Sequence, residues 1–338
     1  MPMLLTLTLF ALSAAGIYFA CEFFVNGIEW AGRRLNLGAT AVGTVLAAFG
    51  TALPESAVTF FAVVFGNTPE QKDLGVGAAM GGPLVLATLA YAVVGAALLL
   101  NRRKLGREDL AIKADYKRLA QDQAAFLIVF VVKVALGLVA FAIKPWLGVL
   151  FLAAYAIYVW REIRQGDTAP EEEELEPLKF RPDEAEPTLA WAALQSVLAL
   201  CVIAFASHVF VAQLEATGLF LGWSPHIVAL LLSPVATELP ETMNALIWVR
   251  QGKERLALAN ISGAMMIQAT IPSALGLFFT PWHFDLPLLA AGVATTAAIL
   301  FLLWSFRRGA VTARTLIAVA PLYALFGAFV IQHFGKVM

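Results

Sequence analysis

Two glutamates, Glu55 and Glu241, each follow a Leu-Pro pair and stand four residues after a threonine, Thr51 and Thr237, inside stretches that are otherwise apolar. The segments read Phe49-Gly-Thr-Ala-Leu-Pro-Glu55 and Val235-Ala-Thr-Glu-Leu-Pro-Glu241, and the second carries a further carboxylate, Glu238. Each ionisable group near the centre of a bilayer costs about 2.5–3.5 kcal/mol to insert, so a cluster of them asks for a compensating cation. Proline lacks an amide hydrogen and disfavours helical geometry in the residue before it, so each span is expected to break at its motif. The carbonyls of Gly50 and Ala236, four residues before the prolines, then lose their usual partner. Freed carbonyls at membrane depth are tolerated where they line a polar cavity. With the carboxylates and hydroxyls they form an all-oxygen cage of at least two negative charges, which suits a hard divalent cation such as Ca²⁺. A soft-metal site is disfavoured, because neither cysteine nor any histidine lies in the motifs. The competing reading, a proline-kinked contact of small residues between helices, leaves the paired glutamates unexplained.

The two segments are copies. A shift of 186 residues (241 − 55) superimposes Thr51, Leu53, Pro54 and Glu55 on Thr237, Leu239, Pro240 and Glu241. Without a gap it also pairs Glu29 with Glu215, Leu35 with Leu221, Gly77 with Gly263, Ala78 with Ala264 and Met80 with Met266. Interrupted hydrophobic segments at corresponding places of two halves point to the binding site of a transporter.

The elements that must position these residues are membrane helices. Sixty per cent of the 338 residues are hydrophobic and 14% charged, whereas soluble domains carry about 25% charged residues. Apolar segments mark ten spans, near 3–29, 38–65, 74–100, 124–143, 146–162, 189–213, 224–249, 256–280, 286–306 and 312–334. The fold class expected is an all-α polytopic membrane protein: ten transmembrane helices in two inverted five-helix repeats, because an odd number per copy makes the second enter from the opposite side. Residues 1–162 form the first repeat (motif 49–56), 163–188 an acidic cytoplasmic linker, and 189–338 the second repeat (motif 233–242). With the N- and C-termini outside, 19 of the 23 lysines and arginines fall on the cytoplasmic side, as the positive-inside rule requires. No basic residue precedes the first apolar run, so a retained first span is expected rather than a cleaved signal.

The linker, with Glu171-Glu-Glu-Glu-Leu-Glu176 and four prolines, reads as a disordered tether; it lacks the alternating ligands and tight glycine of a calcium loop. Cys21 and Cys201 read as small packed residues within spans rather than a disulfide. Glu22, His208 and Lys133 stand within spans without a repeat counterpart of like charge, as ion-path residues or satisfied contacts. Glu29 and Glu215 lie at span ends, and Asn244 follows Glu241 by one turn.

GTALPE and ATELPE, each followed one span later by a glycine-led stretch of small residues, resemble the alpha repeats of the calcium/cation antiporter superfamily, most of all prokaryotic sodium/calcium exchangers. The resemblance implies Ca²⁺ coordination by Glu55 and Glu241, ligands from Thr51 and Thr237, and movement of the first and sixth spans against the other eight. The chain departs from that pattern where serine and amide residues are usual: it has Ala52 and Glu238 beside the motif threonines, Gly77-Ala-Ala-Met-Gly-Gly82 in the third span and Gly263-Ala-Met-Met-Ile-Gln268 in the eighth. Only Gln268 keeps a side-chain oxygen there, and Glu238 adds a carboxylate. The expected function is therefore a secondary antiporter, not an enzyme, of the cell (inner) membrane. It would exchange Ca²⁺ for Na⁺ or H⁺, with a proton route opened by crowded carboxylates. The alternatives are a passive cation channel and an antiporter for Mg²⁺ or Mn²⁺; an intramembrane hydrolase is the weakest, since no nucleophile arrangement accompanies the glutamates. The candidate metal ligands are Glu55, Glu241, Thr51, Thr237, Glu238 and Gln268 with the carbonyls of Gly50 and Ala236. The expected partners are inorganic cations and the lipid bilayer, with no resident cofactor and no nucleic acid.

Overall fold

The computed structural model describes residues 3–66, 69–165, 175–220, 222, 228–309 and 311–335. In the first half, α1 (Met3–Arg34) is followed by α2 (Ala39–Ala41), which runs through a π-helical stretch (Val42–Ala47) into α3 (Ala48–Phe65). The third run is α4 (Pro69–Val85), a second π-helical stretch (Leu86–Ala90) and α5 (Tyr91–Asn101). The half closes with α6 (Tyr116–Gly137) and α7 (Gly148–Arg164). The second half has α8 (Leu189–Phe220), a π-helical stretch (Val228–Leu232) leading into α9 (Ser233–Thr237) and α10 (Leu239–Arg250), then α11 (Glu254–Phe279), α12 (Leu286–Arg308), α13 (Ala313–Ile317) and α14 (Ala320–Gly335). Five helical runs thus precede the linker and five follow it.

The duplication is geometric as well as sequential. A π-helical stretch precedes the motif in each copy, Val42–Ala47 in the first and Val228–Leu232 in the second. Among the described residues, eight helical segments are long and apolar enough to cross a membrane by themselves.

Helix α11 is the central post, with 83% of its most apolar stretch buried, against 22–44% for α1, α6, α7, α8, α12 and the last run. Its approach to the second run depends on two glycines. A Cβ at Gly263 would overlap the backbone of Thr44, and one at Gly43 would come within 2.7 Å of the Ala259 side chain. Outside the core, α1 and α8 lie along each other, with Phe10 and Phe210 stacked at 4.5 Å and Gly27 fitted against Ala192 and Ser196.

Three expectations change. The fourth span is Tyr116–Gly137 rather than 124–143: the Asp115 side chain caps the helix by accepting from the Arg118 amide at 3.0 Å. The polar residues that hide this start from a hydropathy reading are paired inside. Arg118 donates to the fully buried Glu162 at 2.9 Å, and Arg161 bridges Asp122 at 3.2 Å and Glu162 at 3.3 Å. Secondly, the two motifs do not break alike. The second interrupts at Glu238 (φ −85°, ψ 5°) between α9 and α10, whereas α3 continues through Pro54. The second copy has two prolines, Pro234 and Pro240, and position 48 of the first copy is alanine. One missing donor can be absorbed by a packed membrane helix, while two within seven residues detach a turn. Thirdly, the linker from Leu175 onward is docked rather than a free tether. Leu178 is fully buried with Trp30, Ala31 and Ala192, and the Glu176 carbonyl accepts from Trp30 Nε1 at 2.9 Å. Gln195 ties the linker amide of Phe180 to the Phe23 carbonyl of α1. The acidic residues Glu171–Glu174 lie outside the described residues. Both cysteines are free; Cys21 is buried and Cys201 exposed.

Candidate functional site

Glu238 is the joint between α9 and α10. Its amide donates to the Pro234 carbonyl at 3.0 Å and its carbonyl accepts from Thr242 at 3.1 Å, so the backbone turns there without leaving either group unsatisfied. The side chain reaches α11, where Glu238 Oε1 accepts from Gln268 Nε2 at 2.5 Å. Glu238, Glu241 and Asn244 are 0% exposed and Gln268 is 1% exposed, so the cluster is closed to both membrane faces. Room for the pair is made across the repeat interface by α4. A Cβ at Gly82 would stand 2.5 Å from Gln268 Oε1 and 2.7 Å from Glu238 Oε1. A side chain at position 82 and the Glu238–Gln268 contact are mutually exclusive.

Each motif threonine bonds back to a carbonyl of the preceding turn, four residues away in the first copy and three in the second. Thr51 Oγ1 donates to Ala47 O at 3.1 Å and Thr237 Oγ1 to Pro234 O at 3.2 Å. A hydroxyl whose proton is committed to a carbonyl presents lone pairs outward, the orientation a cation needs. Thr51 is buried and Thr237 half-buried. Gly50 serves close packing, since a Cβ there would meet Phe24 at 2.8 Å. Ala236 is buried, and its carbonyl shares the Glu238 N–H with Pro234. Glu55 stands on α3, but its side chain, like that of Glu215, lies outside the described residues.

Sequence reasoning missed Asn260 and Ser273 on α11 and gave Asn244 little weight. Asn260 Nδ2 donates to the Glu241 carbonyl at 3.3 Å. Among the described residues, Asn260 Oδ1, Ser273 Oγ and both polar atoms of Asn244 have no hydrogen-bond partner, although all three residues are fully buried. Each such group costs about 1–3 kcal/mol, and native interiors seldom leave them so. Of the three, Asn260 is the one tied to the motif by a hydrogen bond, and an amide oxygen is a ligand type that suits a hard cation. The signal was present in the sequence as polar residues in apolar spans, but only the fold shows that Asn260 reaches the motif. No group of three or more His, Cys, Asp or Glu forms a metal cluster among the described residues, so the candidate cage is one of mixed oxygens.

A positive charge stands within reach. Lys133 of α6 is fully buried, and its Nζ donates to Ala79 O of α4 at 2.7 Å and Gln268 O of α11 at 3.4 Å. The other charged residues noted in the sequence have different duties. Glu29 accepts from Trp248 Nε1 at 2.8 Å and Lys253 Nζ at 2.7 Å, pinning α1 to the α10–α11 turn. Glu22 lines a cavity of about 510 Å³ with Glu176, Lys179 and Arg250 whose lining does not include the buried glutamates. His208 is exposed on the outer surface of α8.

Residues 5–164 and 191–332 match the family model for the sodium/calcium exchanger protein. CaxA of Alkalimonas amylolytica is 26% identical over 298 residues, covering 87% of each chain. The inner membrane protein YrbG of Escherichia coli K12 is 25% identical over 318 residues, covering 90% of each. Among solved structures, the sodium-calcium exchanger NCX_Mj soaked with 100 mM Na⁺ and 10 mM Sr²⁺ superposes with a TM-score of 0.74 at 19% identity, over 96% of this chain and 97% of that one. That likeness establishes the fold, ten transmembrane helices in two inverted five-helix repeats. The family match runs along both halves and takes in both copies of the motif: the chain is a multi-pass membrane protein of the sodium/calcium exchanger family.

Proposed function

We propose that the protein is a secondary antiporter that exchanges Ca²⁺ for Na⁺ or H⁺ across the cell (inner) membrane, with Glu55 and Glu241 as the principal ligands. The observation that carries this reading is the polar pair buried at the second copy of the motif, Glu238 against Gln268, with Glu241 and Asn244 fully buried on the same helix and Asn260 bonded to the Glu241 carbonyl. Thr51 and Thr237 complete the cage with their lone pairs. The carbonyl of Ala236 is a weaker member, because it is approached by the Glu238 amide, and that of Gly50 belongs to the proposed cage by its place in the motif. The distribution of basic residues supports an orientation with both termini outside. The docked linker then lies on the cytoplasmic face, tied to α1 and α8.

Closure on both sides favours an exchanger over a channel, since a cavity sealed at both ends passes an ion only by changing conformation. An inverted repeat supplies two such conformations through motion of one bundle against the other. The test is Ca²⁺ uptake into proteoliposomes loaded with Na⁺ or with acidic buffer and diluted so that one gradient exists at a time. Uptake that needs one of the gradients supports exchange. Uptake with neither gradient, driven by Ca²⁺ alone, refutes it in favour of a channel.

A further inference from the structure

We infer that Asn244 and Asn260 form a second, uncharged station for the transported cation, between the buried carboxylates and the cytoplasmic face, where the ion is held with part of its water shell. The inference deepens the antiport reading and rests on it. The two residues stand on the two arms of one hairpin, α10 and α11, whose turn contains Gly252 at φ 79°. Each is eight residues from that glycine (252 − 244 and 260 − 252). A hydrogen bond fixes the level independently. A helical carbonyl points toward the amide four residues ahead, so the Glu241 carbonyl is aimed at Ala245. Asn260 Nδ2, which donates to that oxygen at 3.3 Å, is therefore held at the level of residues 244 and 245.

What the two side chains lack identifies their guest. Asn260 Oδ1, Asn244 Oδ1 and Asn244 Nδ2 have no hydrogen-bond partner among the described residues, and both residues are 0% exposed. Native interiors seldom leave such atoms unpaired. Two of the three are acceptors and one is a donor. A bare metal ion would satisfy the oxygens alone, whereas a cation that keeps some of its water also offers a water oxygen to the amide N–H. Amides bring no charge to neutralise the ion, so they hold it less firmly than carboxylates do. A path with several sites needs such weaker ones if the ion is to leave again.

The station belongs to one side of the membrane. The α10–α11 turn is flanked by Arg250, Lys253 and Arg255, which the positive-inside rule assigns to the cytoplasm. Glu238 is 14 residues from Gly252 (252 − 238) and Asn244 eight, so at about 1.5 Å per residue the station lies about 9 Å nearer the cytoplasm than the Glu238–Gln268 contact. One turn further along α10, the fully buried Trp248 donates to Glu29 of α1 at 2.8 Å and stands between the station and the turn. The register of 186 residues gives the first copy Val58 and Leu74 at the corresponding places. An inverted repeat assigns those places to the outer side, and neither residue type has a side-chain oxygen for a cation.

The experiment uses the full chain in inside-out and right-side-out membrane vesicles, with Ca²⁺ as the probe and a Na⁺ or pH gradient as the drive. Vesicles in which neither gradient moves Ca²⁺ sink the antiport reading itself. Once exchange is established, Asn244→Leu and Asn260→Leu are each expected to raise the half-saturating Ca²⁺ concentration at the cytoplasmic face about tenfold, as for the loss of one hydrogen bond to a charged group, and to change the outer value less than about twofold. Asn260→Asp, which keeps the oxygen, is expected to retain the cytoplasmic affinity. A framework role would shift both faces alike and lower the melting temperature. That result overturns the inference, and so does no shift at either face or an aspartate variant as impaired as the leucine one. If the leucine variants do not fold, the wild type decides: it is expected to half-saturate at lower Ca²⁺ from the cytoplasm than from outside, and equal values overturn the inference.

Discussion

Replacing Gly82 by alanine tests the geometry of the site with a single methyl group. The new Cβ would stand 2.5 Å from Gln268 Oε1 and 2.7 Å from Glu238 Oε1, well inside contact distance, so one or both side chains must move and their 2.5 Å hydrogen bond is lost. A hydrogen bond to a charged group contributes about 1.5–3 kcal/mol. If that bond holds Glu238 in its ion-binding pose, Ca²⁺ affinity falls roughly 10- to 150-fold at 1.36 kcal/mol per decade. Alanine also favours a helix over glycine by up to about 1 kcal/mol, so the fold itself should lose little. The assay is the Ca²⁺ dependence of thermal stability in detergent, since a ligand that binds the native state stabilises it by RT ln(1 + [L]/Kd). Gly77→Ala is the control, because a Cβ there meets nothing within 4 Å. A Gly82→Ala protein that keeps the Ca²⁺ affinity of the wild type would refute the assignment of Glu238 and Gln268 to the site.

Two further outcomes follow from the same arrangement. Glu241→Gln and Glu55→Gln should each abolish Ca²⁺ exchange while the protein still purifies as a folded species; near-normal transport by both would sink the ligand assignment. Asn244→Leu removes a buried amide with no partner, so the ion-free protein should gain about 1–3 kcal/mol of stability while Ca²⁺ binding weakens. A loss of stability with binding unchanged would place Asn244 in the framework instead of the cage.

Much of the molecule was legible because duplication repeats its signal. The register of 186 residues ties Glu55 to Glu241 in sequence, and a π-helical stretch precedes the motif in each copy. Hydropathy and positive charge gave the number of spans for the same physical reason that the bilayer selects them. What escaped was whatever depends on a partner far along the chain. Arg118 and Asp122 look unfit for a membrane helix until Glu162 and Arg161 of α7 are placed beside them, so the start of α6 was misplaced. Lys133 was visible as a lone charge, but its meaning depends on carbonyls 54 and 135 residues away. The π-helical stretches carry no proline and no glycine pattern that separates them from ordinary helix. They are set by packing, as where Gly43 and Gly263 bring the second run against α11.

The two repeats share a backbone but divide the chemistry unequally. Under the 186-residue shift Glu238 corresponds to Ala52, Gln268 to Gly82, Asn244 to Val58, Asn260 to Leu74 and Ser273 to Ala87. Lys133 corresponds to Val319, so the ammonium is unduplicated too. The second copy thus supplies most of the described polar atoms, and the first supplies Glu55, Thr51 and space. Gly82 is the clearest instance, since the absence of its side chain is what lets Glu238 meet Gln268. An inverted repeat needs matched backbones to present one site to either side of the membrane in turn, but nothing in that motion requires matched ligands. The two halves then contribute differently: polar groups come from one, and at Gly82 the other contributes space. Enlarging Gly82 would interfere with the Glu238–Gln268 pair as surely as removing one of its members.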